Sequence, residues 1–143
     1  MALYARAIQM RTGPGRGQAL LSLLWAERAL TESDPFIAFT SLWLAIEVLM
    51  GTASLAPVRK ALRSLYSFAD EADFEARTNL ARLAALRPRV LHRAVATPIP
   101  DQLVSYLEAL YADLLAKILA LPSPNRLAPY VTGELGPVAK LVG

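Results

Sequence analysis

Apolar positions along this chain recur at intervals of three and four residues, and nowhere do β-branched residues alternate in the two-residue rhythm of a strand. The cleanest series is Leu103, Leu107, Leu110, Leu114, Ile118 and Leu121, which falls on one face of a helix and reads as the seam of a bundle. Residues 36–50 are apolar on nearly every side, with Glu47 their one charge. A helix of that kind is the most buried of its fold.

Punctuation residues place the boundaries. Helices are predicted over residues 2–11, 18–31, 35–50, 57–68, 70–86 and 101–121. The first stops at Gly13-Pro14-Gly15. Asp34 can cap the third, with Pro35 in its first turn and Gly51 just beyond its end. Asp70, Glu71, Asp73 and Glu75 crowd the start of the fifth, where the helix dipole favours acids. Pro88 removes a backbone donor and is expected to interrupt that helix, with the pattern resuming to about Arg93. Pro98 and Pro100 introduce the last helix. Beyond Leu121 the prolines at 122, 124 and 129 read as an extended arm. The expected fold is all-α: an antiparallel, up-and-down four-helix bundle over residues 1–121, with short extra helices and an extended C-terminal arm over 122–143.

Composition narrows the chemistry. The chain has 143 residues, suited to one domain, and 55% of them are hydrophobic. With no Cys and a single His, disulfides, thiol nucleophiles and Cys/His zinc sites are excluded. Imidazole chemistry must pass through His92. No metal or cofactor is called for. Mean hydropathy is +0.35, yet the longest apolar stretch falls short of the roughly 20 residues that span a bilayer, and no signal peptide is visible. The expectation is a cytoplasmic protein, off the membrane, whose surplus apolar surface serves an oligomer or a partner. Trp25, Trp43, Phe36 and Phe39 sit in apolar stretches and read as core or interface.

Charge adds a location. Twelve of the fifteen basic residues are Arg, and residues 76–100 hold Arg77, Arg82, Arg87, Arg89 and Arg93 with no acid. Such a run suits phosphate, which guanidinium binds bidentately; the alternative is a solvated helix face. Arg87 extends the core-facing stripe of Leu80 and Leu83, so it needs a carboxylate, with Glu47 the candidate for a structural ion pair, or a cleft. Glu47, lone in its apolar helix, needs a partner for the same reason. His92 follows five residues after Arg87, about 140° round an ideal helix, so the two converge only through a bend at Pro88 or across a two-fold axis.

Arg87-x4-His92 resembles the R-x(4–6)-H signature of HEPN domains. Residues 27–51 are similar to the first two core helices of the ApeA-like branch, and residues 102–119 to the last helix, so the resemblance covers roughly residues 18–121. It implies a paired four-helix bundle acting as a metal-independent endoribonuclease in a toxin–antitoxin or phage-defence setting. It further implies that Arg87 holds the scissile phosphate and His92 moves protons at the ribose 2′-OH, leaving 2′,3′-cyclic phosphate ends. Arg82, Arg89 and Arg93 would track the RNA backbone, with Glu47 behind Arg87 or His92. The implied partners are RNA, a second copy, and an antitoxin or larger defence protein. Two positions depart from the pattern: Pro88 follows Arg87 where members often carry a polar residue, and Arg93 follows His92 where many carry Gly. A non-catalytic HEPN module that pairs with itself or a defence protein is therefore the second reading. A helical adaptor unrelated to RNA is the third.

Overall fold

The computed structural model describes residues 2–9, 16–92 and 99–133, and among them every regular element is a helix. In chain order these are α1 (Ala2–Gln9), α2 (Arg16–Thr31), α3 (Pro35–Met50), α4 (Ala56–Leu65), α5 (Glu71–Thr78), α6 (Leu80–His92), α7 (Asp101–Ile118) and α8 (Ala128–Val131). None of them is long and apolar enough to cross a membrane.

α3 is the hub. It packs most extensively against α2, then α7, and also touches α6. Its bounds are those the sequence predicts, and the caps explain why. The Asp34 carboxylate accepts the Phe36 N–H at 2.9 Å, and Gly51 takes the left-handed conformation at φ 73° while donating to the Glu47 and Val48 carbonyls. Between these ends Phe39, Leu42, Ala45 and Leu49 are almost wholly buried. On α7 the predicted seam is the core: Leu103, Leu107, Leu110 and Leu114 have lost essentially all solvent contact. Each such leucine contributes about 1.5–3 kcal/mol through burial.

Three expectations need correction. The helix predicted over residues 70–86 is two helices, and the break is at Asn79, not at Pro88. Asn79 adopts φ 49° and ψ 34°, ending α5 with its N–H on the Glu75 carbonyl, while its own carbonyl accepts from Leu83 and so opens α6. Asn is among the few non-glycine residues that visit this left-handed region readily. The Tyr106 hydroxyl donates to the Thr78 carbonyl at 2.6 Å, and the Glu75 carboxylate accepts from the Ala81 N–H, which satisfies backbone groups freed by the break. α6 then continues through Pro88 to His92, without the backbone hydrogen bond that a proline cannot make.

The last long helix stops at Ile118, short of Leu121. Ala120 takes φ 53°, the Leu121 N–H reaches the Ala116 carbonyl at 2.8 Å, and the Ala120 N–H reaches that of Lys117. This is a Schellman closure, made here without glycine.

The arm expected from residue 122 is part of the fold as far as residue 133. Leu127 and Val131 are buried, and Asp113 on α7 accepts backbone N–H groups from Arg126 at 2.9 Å and Leu127 at 3.2 Å. α8 packs beside α5, and the Tyr130 ring meets that of Tyr106 edge-on. A buried carboxylate with these backbone partners is what turns a proline-rich stretch into a docked one. The rest of the expected arm, residues 134–143, lies outside the described residues, as does Gly13-Pro14-Gly15.

Candidate functional site

The predicted site residues Glu47 and Arg87 meet. α3 presents Glu47 in its last turn, and α6 presents Arg87 on the stripe whose earlier members, Leu80 and Leu83, are fully buried. Arg87 Nε lies 3.0 Å from Glu47 Oε1, and Nη2 donates to Oε2 at 3.1 Å. This is a two-point fork, made of one hydrogen bond at Nη2 and one close ion-pair contact at Nε. The side chains stay 30% and 19% exposed, so the pair lines a surface instead of sealing a core.

A third member was not anticipated. The Trp43 indole N–H donates to Glu47 Oε1 at 2.9 Å from one turn earlier on α3. Phe39, a further turn back, stacks against Trp43 with ring centroids 6.2 Å apart. The i, i+4 spacing of Trp43 and Glu47 was the available signal. The arrangement fixes the carboxylate from its own helix, so Glu47 orients the guanidinium instead of following it.

Arginine has five N–H donors, and the fork engages only Nε and one hydrogen of Nη2. Beside it lies a cavity of about 40 Å³ lined by Phe39, Thr40, Trp43, Leu44 and Arg87. That volume suits a few waters and no nucleotide. Any larger anion must therefore meet the remaining guanidinium N–H groups from the solvent side. Chemically the cluster is a partly neutralised, rigidly held anion donor.

Arg82 is exposed on the same helix. The side chains of Arg89 and His92, and Arg93 as a whole, lie outside the described residues. The backbone does place residues 87 and 92 on one helix, separated by about 140° and about 7.5 Å of rise. The expected break at Pro88 therefore does not bring them together. No three metal-ligating side chains converge among the described residues.

A second polar cluster, on α7, was also missed. Asp113 is fully buried and accepts from the Tyr66 hydroxyl at 2.5 Å as well as from the two backbone groups of residues 126 and 127. Glu108 accepts from the Tyr4 hydroxyl at 2.7 Å and pairs with Arg126, whose guanidinium also lies over the Tyr4 ring. Burial, then the adjoining carboxylate, raises the pKa of both Tyr4 and Tyr66 far above the ordinary phenol range. The Tyr111 hydroxyl, 2.7 Å from that of Ser22, is pushed up to about 12 by burial, with the Ser22 hydrogen bond opposing. These phenols stay protonated and act as structural hydrogen-bonding groups, joining α1, α2 and α4 to α7. Sequence reasoning passed over them because the partners lie up to 104 residues apart.

Comparison with protein-family models, with curated proteins and with solved structures finds no match for this chain.

Proposed function

We propose that this chain is a HEPN-type four-helix bundle, built on α2, α3, α6 and α7, that pairs with a second copy and cleaves RNA without a metal. The observation that carries the reading is the Glu47–Arg87 fork: a part-exposed guanidinium held in one orientation, on the helix that also bears the chain's single histidine. A guanidinium so positioned is organised in advance for the charge that develops on a phosphoryl group in transit.

In the proposed reaction the ribose 2′-oxygen attacks the adjacent phosphorus and the bond to the 5′-oxygen breaks. The 2′-hydroxyl proton passes to His92, and the departing 5′-oxygen takes up a proton. The ends are a 2′,3′-cyclic phosphate and a free 5′-hydroxyl. Arg87 holds the non-bridging oxygens, His92 serves as the proton-transfer group, and Arg82, Arg89 and Arg93 follow the backbone by charge. The 140° between Arg87 and His92 favours a composite site, in which Arg87 of one copy works with His92 of the other across a two-fold axis. The setting is a cytoplasmic toxin–antitoxin or phage-defence system, with an antitoxin or larger defence protein as a further partner.

The test is incubation of the full chain with single-stranded RNA in EDTA. The expected result is cleavage to cyclic phosphate ends, lost in folded Arg87→Ala and His92→Ala variants and restored when the two inactive variants are mixed. Cleavage that persists in both variants overturns the proposal. A second reading, a non-catalytic HEPN pairing module, draws on the same fork, since Glu47 neutralises Arg87 with both oxygens. It expects a stable dimer and no cleavage.

A further inference from the structure

α2 carries leucines on both of its sides. Its inner side packs through Ala19, Leu23, Ala26 and Ala29, while Leu21, Leu24 and Leu30 are 50%, 63% and 47% exposed and are the large exposed hydrophobics among the described residues. Together with Leu20 and Tyr4 they line a groove of about 550 Å³. A second groove of about 450 Å³ adjoins it and shares Leu30. The combined lining carries Glu27, Glu32, Asp101 and Glu108 against one cation, Arg126, already paired with Glu108. Glu27, Glu32 and Asp101 make no ion pair with a described residue, although the chain as a whole carries +3.

We infer that this face is a docking site for an amphipathic helix of a partner protein, with leucine-like anchors on one side and Lys or Arg at the end lying over residues 27–32. Charge selects the occupant. An acidic rim repels RNA and anionic lipid, and it complements a basic peptide. A second copy fits poorly: in a symmetric antiparallel α2 pair centred on Leu24, Glu27 falls opposite the partner copy's leucine at position 21, burying a carboxylate against an apolar side chain. Arg28, exposed on the same helix, lines neither groove; on the helical wheel it falls on the Leu21 side of Leu24, away from Glu27. The described residues offer no strand edge to augment, and an apolar groove along a helix suits helix-in-groove recognition through anchors at i, i+3, i+4 and i+7. Leu20 to Leu30 spans about 15 Å, or about three turns of a partner helix. The site does not depend on the chemistry proposed for Arg87 and His92.

The experiment uses the full chain and two synthetic helical peptides of about 16 residues, with the same leucine pattern and either Lys or Glu at one end. Fluorescence anisotropy should show saturable binding of the Lys peptide, at least about tenfold tighter than the Glu peptide at low salt, with the gap closing at high salt. Leu24→Glu, at an exposed position, should keep the parent circular dichroism spectrum and weaken the Lys peptide at least about tenfold. Glu27→Lys should narrow the preference, and Arg87→Ala and His92→Ala should leave binding unchanged. Equal binding of the two peptides, no binding up to about millimolar, or insensitivity to Leu24→Glu overturns the inference. So does Leu24-dependent self-association in sedimentation that blocks the peptide, or Leu24-dependent adsorption to phosphatidylcholine vesicles in its place.

Discussion

Glu47 and Arg87, forty positions apart in the chain, face each other through both carboxylate oxygens at 3.0 and 3.1 Å, and Trp43 holds the carboxylate in place from its own helix. The pair joins the hub helix α3 to α6, so it serves the fold whatever else it does. Its functional interest lies in what it leaves over, a guanidinium edge facing solvent in a fixed direction.

That coupling is measurable. Arg87→Ala leaves a mostly buried carboxylate with only the indole N–H as partner, and should cost about 1–3 kcal/mol in urea unfolding. Glu47→Gln keeps an acceptor for Trp43 and should cost less than Glu47→Ala. A double-mutant cycle should return a coupling of about 1 kcal/mol or more. Zero coupling would mean the fork contributes nothing in solution.

Arg82 provides a separate electrostatic test. It is exposed and makes no ion pair with a described residue. Arg82→Ala should weaken RNA binding to a similar degree across sequences and lower the salt dependence of log K by about one. An unchanged slope removes Arg82 from the interface.

Asp113 holds residues 126–127 against α7. Asp113→Ala strips the Tyr66 hydroxyl and two backbone N–H groups of their shared acceptor and should cost about 2–4 kcal/mol. Limited proteolysis should then cut near residues 120–127 before the rest of the chain. Tyr66→Phe should cost about 1 kcal/mol and leave the segment docked. Equal protease resistance in Asp113→Ala and the parent would show that Leu127 and Val131 suffice.

The buried phenols set a direction for alkaline unfolding. Tyr111 ionises near 12 in the folded chain, against an ordinary value of 10.0. Its contribution is therefore fully present below pH 10 and is lost as pH rises from 10 towards 12, because the unfolded chain releases the proton first. Two units correspond to about 3 kcal/mol for this one group. Urea midpoints should hold steady from pH 7 to about 9 and fall above pH 10, with tyrosinate absorbance appearing at the unfolding transition. Tyr111→Phe should lessen that fall, the rest coming from the other buried phenols, Tyr4 and Tyr66.

Ala120 offers the inverse experiment, a stabilising one. Its φ of 53° costs an alanine about 1 kcal/mol that glycine does not incur, offset in part by the greater freedom of glycine in the unfolded chain. Ala120→Gly should raise the melting temperature by a few degrees. A fall would show that the closure after α7 is not strained.

How much was legible beforehand depends on whether the signal is local. The bounds of α3 follow from Asp34, Pro35 and Gly51, each acting within a turn of its own position, and the α7 seam follows from periodicity. The break in α5–α6 was misplaced because Pro88 is the stronger local breaker, whereas the turn at Asn79 holds because Tyr106, from α7, bonds the neighbouring Thr78 carbonyl and Glu75 accepts from the Ala81 N–H. The docked segment after Leu121 was read as an arm because its prolines are visible in sequence and the carboxylate of Asp113 beneath them is not.

The sequence by itself therefore determined that the described chain is helical, where its best-capped helix begins and ends, and that Glu47 and Arg87 each needed a counterpart. Those are consequences of period, cap and the cost of burying a charge. The pairing of Glu47 with Arg87 was itself a reading of the sequence; only the tertiary structure decided its two-point geometry, that Trp43 fixes the carboxylate, that α6 passes through Pro88, and that α2 keeps an apolar face with an acidic rim open to solvent. Such facts depend on which surfaces meet in space and in what geometry, and a one-dimensional pattern does not carry that.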